Sequence, residues 1–408
     1  MTHAHPDPSA VNSLVETPGC SPVAGRVVWD PAHSLWNGSM LLATLILGPL
    51  TFSWSALAVF AVTTGAGLLL GHSVGFHRRM IHGSFQCPLW LERTLSWFGT
   101  TVGMSGPFWM IRTHDMRDWA QRRDNCHDYL AHRRPMIVDA VWQMHCKLVL
   151  DRPPAFDLGR IGRDPVHRFL ERTWMAQQIP IAVVLFLIGG WGFVVWGVCA
   201  RVTASVVGHW FVGHLAHRYG PQTWRVDGAG VQAHDVPWAA IPTMGEAWHN
   251  NHHAFPGSAR IGLYPGQADW GFRLIQLFER LALAWDVRTP ETLPARPVSR
   301  AGKASLPRAD RLAIDLADVL GLDPAGGHAG GAEDAAARAA VVGEALQLVR
   351  IGVFGRTRAA RAGGEQQQGG GGDEGQADRL IVAAHGQAIS EAAPATPARR
   401  RARAPWRR

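Results

Sequence analysis

Residues 35–70 read LWNGSMLLATLILGPLTFSWSALAVFAVTTGAGLLL, a run of 36 residues without one charge or histidine. As a single helix it would extend roughly 54 Å at about 1.5 Å per residue, well past a hydrocarbon core of about 30 Å. Two shorter helices folded as a hairpin fit better, with the bend near Gly48-Pro49 or at Ser53-Trp54-Ser55. A second uncharged run covers residues 175–200, is interrupted by Gly189-Gly190-Trp191-Gly192, and continues as an apolar pattern past Arg201 to about His217. The pattern predicts an all-α membrane protein with four transmembrane helices as two hairpins, at about 35–52, 55–75, 173–189 and 192–215.

Charge sets the expected orientation. Residues 77–172 hold 14 Arg and one Lys, an excess expected on the cytoplasmic side. Within them, residues 97–110 are apolar but too short to span and read as an interfacial or core helix. Two hairpins return the chain each time to one side, so all the histidine clusters share a compartment. The expectation is a multi-pass protein of a bacterial inner membrane with a cytoplasmic active domain. The 18 Trp against three Tyr suit an interfacial belt, although packing can use them equally.

The flanks differ from this centre. Residues 1–34 contain Pro, Ser and His without a basic segment leading into an apolar one, and are expected to be a loose leader with no cleaved signal. Residues 35–290 form the predicted membrane domain. Residues 291–408 turn to Ala, Arg and Gly, with GGEQQQGGGGDEGQAD at 363–378 and six Arg in the last ten positions. That end reads as a solvated, disordered tail, with no nucleic acid expected as partner.

The net charge of +8 is carried almost wholly by Arg, since Lys147 and Lys303 are the only lysines; the bias suggests a GC-rich genome. A content of 47% apolar residues excludes a wholly disordered chain. The five cysteines form no CxxC pair, which argues against an iron–sulfur, zinc-ribbon or disulfide framework. Histidine is the informative residue: 15 of 20 fall within positions 72–253.

Three strings carry the chemistry: HRRMIH from His77 to His82, HDMRD from His114 to Asp118, and HNNHH from His249 to His253. Offsets of i, i+3 and i+4 lie on one helix face, so His249, His252 and His253 can converge, and His114, Arg117 and Asp118 share that spacing. His77 and His82 are five apart, about 140° around an ideal helix, and meet only if the helix ends or unwinds between them. A fourth string, GHLAH, ends at His217 where the fourth span should emerge. Any one of these histidines alone reads as a satisfied interfacial residue. Six or more together exceed the four donors that one zinc takes and point to a two-metal site.

On these residues the chain resembles the integral-membrane fatty-acid desaturases of the acyl-CoA desaturase type. GFHRRMIHGSF places His77 and His82 at that family's HxxxxH ligand positions, and EAWHNNHHAFPGSAR places His249, His252 and His253 at its HxxHH positions. FVGHLAH puts His217 at the histidine of the family's NxxxH element, with Gly213 where Asn would stand; His209 or His214 are candidate substitutes. The second box departs: HxxHH becomes His114-Asp-Met-Arg117-Asp118. Arg cannot ligate a metal, whereas Asp118 can, and Arg117 can pair with it or with a substrate head group. His127 and His132 are other candidate replacements.

The resemblance implies two iron ions, held by His77, His82, His114, His217, His249, His252 and His253, with Asp118 the candidate ligand where the second box departs. It implies that O2 and two electrons remove two hydrogens from adjacent methylenes of a CoA- or lipid-linked acyl chain. Electrons would come from a separate donor such as ferredoxin, since the chain has no haem motif or Cys cluster. Arg112, Arg117, Trp109 and Trp248 are candidates for binding substrate or donor, and Arg122, Arg123, Arg133 and Arg134 extend that basic surface. Trp119 and Phe255 join the two Trp as candidates to line an apolar tunnel. Asp115, Glu246 and Asp235 are candidates to orient the ligand rings. Membrane lipid is the expected surrounding. Two alternatives stay open on sequence: an acyl-chain hydroxylase on the same scaffold, and an inactive metal-binding membrane protein. A transporter is disfavoured, since the polar residues cluster at span ends and only Arg201 lies inside one.

Overall fold

The computed structural model describes residues 13–294 and 297–301. In chain order these form β1 (Leu14–Val15), β2 (Gly25–Trp29), α1 (Pro31–Leu50), α2 (Trp54–Ala66) with a wide-turn continuation (Gly67–Ile81), α3 (Leu89–Thr101) and α4 (Pro107–Gln121). Next come α5 (Asp128–Ala131), α6 (Met136–His145), β3 (Cys146–Leu150), β4 (Ala155–Phe156), α7 (Gly159–Arg163) and α8 (Pro165–Thr173). The remainder is α9 (Gln178–Val194), a second wide-turn segment (Val195–Ala200), α10 (Arg201–Ala216), β5 (Trp224–Val226), α11 (His249–Ala254), α12 (Trp270–Arg280) and β6 (Val298–Arg300). The described residues are predominantly helical, as expected, and contain three antiparallel strand pairs, β1–β4, β2–β3 and β5–β6.

Among the described residues, two continuous helical stretches are long and apolar enough to cross a membrane, Trp54–Ile81 with 28 residues and Gln178–Ala216 with 39. The second is not straight. Gly189 and Gly190 leave helical geometry, and Gly190 takes φ +67°, a conformation that favours glycine. Leu185 consequently packs where a Cβ on Gly197 would sit, so the chain doubles back at these two glycines. The first bend falls at 51–53, between α1 and an α2 capped by Ser53, whose hydroxyl accepts from the Ala56 amide at 3.1 Å. Pro49 lies inside α1. The two bends are neighbours: a Cβ on Gly192 would stand 3.3 Å from the Thr51 carbonyl, and Trp196 Nε1 donates to the Gly48 carbonyl at 3.3 Å. The outer faces carry unburied apolar side chains, among them Leu42, Leu45, Leu50, Val62, Leu187 and Ile188.

The expected interfacial helix over 97–110 is instead two helices, α3 and α4, separated by a turn at 102–106. α3 lies hard against the wide-turn continuation of α2. A Cβ on Gly71 would fall 2.3 Å from the Phe98 carbonyl carbon, and one on Gly75 would fall 2.7 Å from the Leu95 carbonyl oxygen, so only glycine permits this approach. Arg201, the charge inside the fourth predicted span, turns inward at 2% exposure. It donates to the Gly197 carbonyl at 2.7 Å and is also bonded to the Thr101 carbonyl and Gln178 Oε1.

The expected loose leader is corrected for its described part. β2 pairs with β3 over five residues, from Gly25↔Leu150 to Trp29↔Cys146, and Ser13 donates its amide to Asp115 Oδ2 at 3.0 Å. Strand pairing with partners more than a hundred residues away anchors a segment whose composition alone looks unstructured. The expected tail from 291 onward lies outside the described residues, apart from 291–294 and a short piece that includes β6.

Candidate metal centre

The helix carrying the first histidine string solves its own spacing problem. From Gly67 to Ile81 it widens to i→i+5 hydrogen bonding, and the His82 amide donates to the His77 carbonyl at 3.1 Å. Residues five apart then share a face, and the two ring centroids stand 4.8 Å apart. The wider turn thus provides the unwinding that this spacing requires.

The HNNHH string forms α11, and its two asparagines fix it. Asn250 Oδ1 accepts from the Thr223 and Trp224 amides, both at 2.8 Å, while its Nδ2 donates to the Ala233 carbonyl at 2.7 Å. Asn251 Nδ2 donates to the Ile261 carbonyl at 3.0 Å. Asp235 holds the first turn by accepting from the Asn250 amide at 3.0 Å, so it orients the helix and not a ring.

So anchored, α11 divides its histidines between two groups. His77, His82, His114 and His252 bring one ring nitrogen each to within 4.8 Å of one another. His217, His249 and His253 do the same. The closest approaches run between Nε2 atoms: 3.3 Å for His77 with His252, 3.3 Å for His249 with His217, and 3.1 Å for His253 with His249. Two nitrogens each about 2.1 Å from one metal ion would stand about this far apart.

Electrostatics favours the ligating form. Burial lowers His114 to about 4 and His249 to about 3, and it holds His217, His252 and His253 well below the ordinary imidazole value, so all are neutral near pH 7. Glu246 Oε2 stands 2.6 Å from His77 Nδ1, which turns His77 Nε2 toward His252. Glu246 is itself held by Arg78 Nη2 at 3.0 Å, and Arg78, 1% exposed, also pairs with Asp269 at 2.8 Å. Although burial alone would raise it, His77 and Arg78 hold the Glu246 carboxyl below the usual range. In the other group, His217 Nδ1 donates to the Gly213 carbonyl at 2.7 Å and leaves Nε2 to face His249. Of the three candidate orienting carboxylates, Glu246 is the one that touches a ligand ring. Asp115 is taken up by Ser13, where burial raises it to about 7.

The second box is arranged differently. Asp118 stands beside the groups without joining either: Oδ1 is 3.9 Å from His114 Nδ1, and Oδ2 is 3.6 Å from Arg122 Nη2. Arg117 turns to Gln143, donating to Oε1 at 2.8 Å. Arg112 is exposed on α4. Each aromatic candidate has a ring or hydrogen-bond partner. Trp109 lies against His33 at 4.9 Å, and Trp119 donates to Glu16 Oε1 at 3.1 Å. Trp248 donates to the Ala268 carbonyl at 2.8 Å, and Phe255 meets Trp224 edge-on.

A third polar cluster was foreshadowed only in part. His132, Asp139 and His214 lie together, with Asp139 Oδ2 at 2.8 Å from both His132 Nδ1 and His214 Nδ1. His132 and His214 are visible in sequence as histidines near the boxes. Asp139 carries no spacing signal and was not foreseen.

No protein-family profile matches the chain. Among characterised proteins, it is 35% identical over 269 residues to the sn-1 stearoyl-lipid 9-desaturase of Anabaena variabilis, covering 62% of this chain and 93% of that protein. It is 32% identical over 276 residues to the acyl-CoA C20 Delta5-desaturase of Anemone leveillei, covering 66% and 85% respectively. It is 32% identical over 250 residues to the sn-2 palmitoyl-lipid 9-desaturase of Nostoc sp. (strain 36), covering 59% and 85%.

Proposed function

This chain belongs to the fatty-acid desaturases, and from that premise we propose that it uses two histidine-held irons, O2 and an external electron donor to desaturate a fatty acyl chain. The observation that carries this is the pair of adjacent imidazole groups with Nε2 atoms 3.1–3.3 Å apart. His77, His82, His114 and His252 hold one ion; His217, His249 and His253 hold the other. The donor set is imidazole nitrogen throughout, without thiolate, which suits iron. When bound, the pair supplies reductive O2 activation, which removes hydrogen from unactivated methylenes as side-chain acid–base chemistry cannot. The balance is one O2, two electrons and two protons taken in, two hydrogens removed from the chain, and two waters released.

The chain's own residues do the rest. Glu246 fixes the His77 tautomer, and the Arg78–Asp269 pair holds Glu246. A narrow crevice between α1, α6 and α10 has mostly apolar walls, from Met40, Leu41, Met144, Val202, Val206 and Val207, with Asn37, Thr203 and His145 also lining it, and apolar walls of this kind suit an acyl chain. The names of the relatives divide between lipid-linked and CoA-linked substrates, so either carrier is compatible with this reading.

Three observations support a reading of four membrane spans in two hairpins, with the metal site on the cytoplasmic side. The two bends are neighbours, the outward faces are apolar, and the basic excess lies in 77–172. The exposed Arg112 and its basic neighbours suit an acidic electron carrier such as ferredoxin.

The test is iron per chain in the detergent-purified protein, paired with fatty-acid profiles of cells expressing it. About two irons and a new unsaturated acid are expected, as one imidazole cluster per ion requires. Zinc alone with an unchanged profile would sink the proposal.

A further inference from the structure

The second histidine group has three rings where the first has four, and the two box positions that would be expected to complete it carry Arg117 and Asp118. We propose that His132 is the fourth ligand of the second ion, held in place by Asp139. This rests on the two-ion reading above and concerns which of this chain's residues complete the second site.

Four observations converge on His132. First, its ring is 1% exposed and its Nε2 makes no hydrogen bond, a buried donor or acceptor left without a partner. Second, its Nδ1 is committed to Asp139 Oδ2 at 2.8 Å, which fixes the tautomer and leaves the Nε2 lone pair open. The same pattern of carboxylate to Nδ1 orients His77 through Glu246 in the first group. Third, the ring lies nearly parallel to His217, with centroids 5.3 Å apart, the separation that also holds between His217 and His253. Nε2 faces Gly213, 3.8 Å from where a Cβ would sit. Fourth, His132 takes φ +53° and ψ +33°, a left-handed conformation uncommon for a residue with a side chain. Strain of this kind persists where the surroundings require one placement of the side chain.

Asp139 is built for the holding role. Its Oδ2 accepts from His132, from His214 Nδ1 at 2.8 Å and from Trp210 Nε1 at 2.9 Å. Gln143 Nε2 reaches its Oδ1 at 3.3 Å, and Gln143 is held in turn by Arg117. Arg117 therefore belongs to the chain of contacts that steadies the substitute ligand. A separate third metal site made of His132, Asp139 and His214 is disfavoured, because both Nδ1 atoms stand at hydrogen-bond distance from one carboxylate oxygen.

The test uses the full chain in detergent, loaded with ferrous iron. His132→Asn keeps an amide near the Nδ1 position to donate to Asp139 but has no atom near Nε2. It should lower iron from about two per chain to about one, with the Mössbauer signal of the retained ion unchanged. Gly213→Val, which crowds Nε2 without touching Asp139, should cause the same loss and keeps the proposal testable if the Asn variant folds poorly. Combining His132→Asn with His217→Ala should cost no further ion, whereas combining it with His82→Ala should remove both. Retention of two ions with the wild-type spectrum in His132→Asn would overturn the inference and leave the two-ion reading standing. A wild-type chain holding three ions, of which His132→Asn loses one and keeps the other two unperturbed, would overturn it in favour of a separate site. A wild-type chain without iron would instead sink the reading beneath it.

Discussion

The two imidazole groups share one short helix yet are completed in different ways. The first draws its rings from three helical segments: the widened end of α2, α4 and α11. The second takes His249 and His253 from α11 and His217 from the end of α10, with no ring from α4. α4 serves both sides unequally. Its His114 joins the first group, while Arg117 and Asp118, three and four residues on, make contacts of other kinds. Loss of ligands from one helix therefore weakens only one ion's shell. The repair, on the inference above, comes from a loop residue pinned by a carboxylate.

The largest expected effect follows from the shared helix. His252→Ala removes a ring from the four-membered group while Asn250 and Asn251 keep α11 anchored. Desaturation should fall by at least about 100-fold, with iron reduced to about one per chain, because the positioned metal pair carries the chemistry. Product assay and elemental analysis on one preparation check this. Full activity would show that the first group is not a metal site.

Glu246→Gln probes the same group through the carboxylate beside His77, which Ser73 and Arg78 also contact. The His77 ring loses its carboxylate at 2.6 Å, and Arg78 keeps Asp269. Iron affinity of the first group should drop about 10- to 100-fold, read as faster loss to a chelator, with the second group's ion unaffected. Equal loss from both groups would mean that Glu246 supports the fold and not a ring.

Acid distinguishes neither group, which is itself a test. In the metal-free protein, burial lowers His114 to about 4 and His249 to about 3, against an ordinary value of 6.5. Above pH 6.5 folded and unfolded chains are both neutral at these rings. Below it the unfolded chain takes up protons that the folded chain refuses, so stability falls as pH drops toward 4, by up to roughly 1.4 kcal/mol per pH unit for each ring. Thermal melts of the metal-free protein should decline beneath pH 6.5, because the several buried rings outnumber the Asp115 carboxyl, which burial raises to about 7 and which acts in the opposite direction. A melting temperature independent of pH from 6.5 to 4 would mean that the rings are hydrated.

These predictions rest on parts of the molecule that were unequally legible. The ligand strings could be read because metal chemistry imposes short, regular offsets, as in HNNHH. The fivefold spacing of His77 and His82 even announced a departure from the ordinary helix, which the i→i+5 turn supplies. The Gly189-Gly190 bend was legible for the same reason: two glycines interrupt an apolar run. Nothing local marks Asp139, which meets His214 across 75 positions, or β2, whose partner strand lies more than a hundred residues away. Trp109 and Trp248 border the boxes in sequence, and their partners, His33 and the Ala268 carbonyl, could not be read there. Adjacency along the chain indicates which helix a residue joins, not which face it occupies.

The smallest effect belongs to Asp118, and it bears directly on how the second group is completed. The carboxylate is 4% exposed, and its ion-pair neighbours His114 Nδ1 and Arg122 Nη2 lie at 3.9 and 3.6 Å, beyond direct hydrogen bonding. A charge so placed lowers the cost of a dication nearby without needing to bind it. Asp118→Asn keeps the shape and removes that charge, so iron should stay near two per chain while affinity weakens only a few-fold, within about 1 kcal/mol. Loss of one full ion in this variant, with His132→Asn still holding two, would reverse the assignment. The carboxylate would then complete the second group, and the pinned histidine would be a structural neighbour.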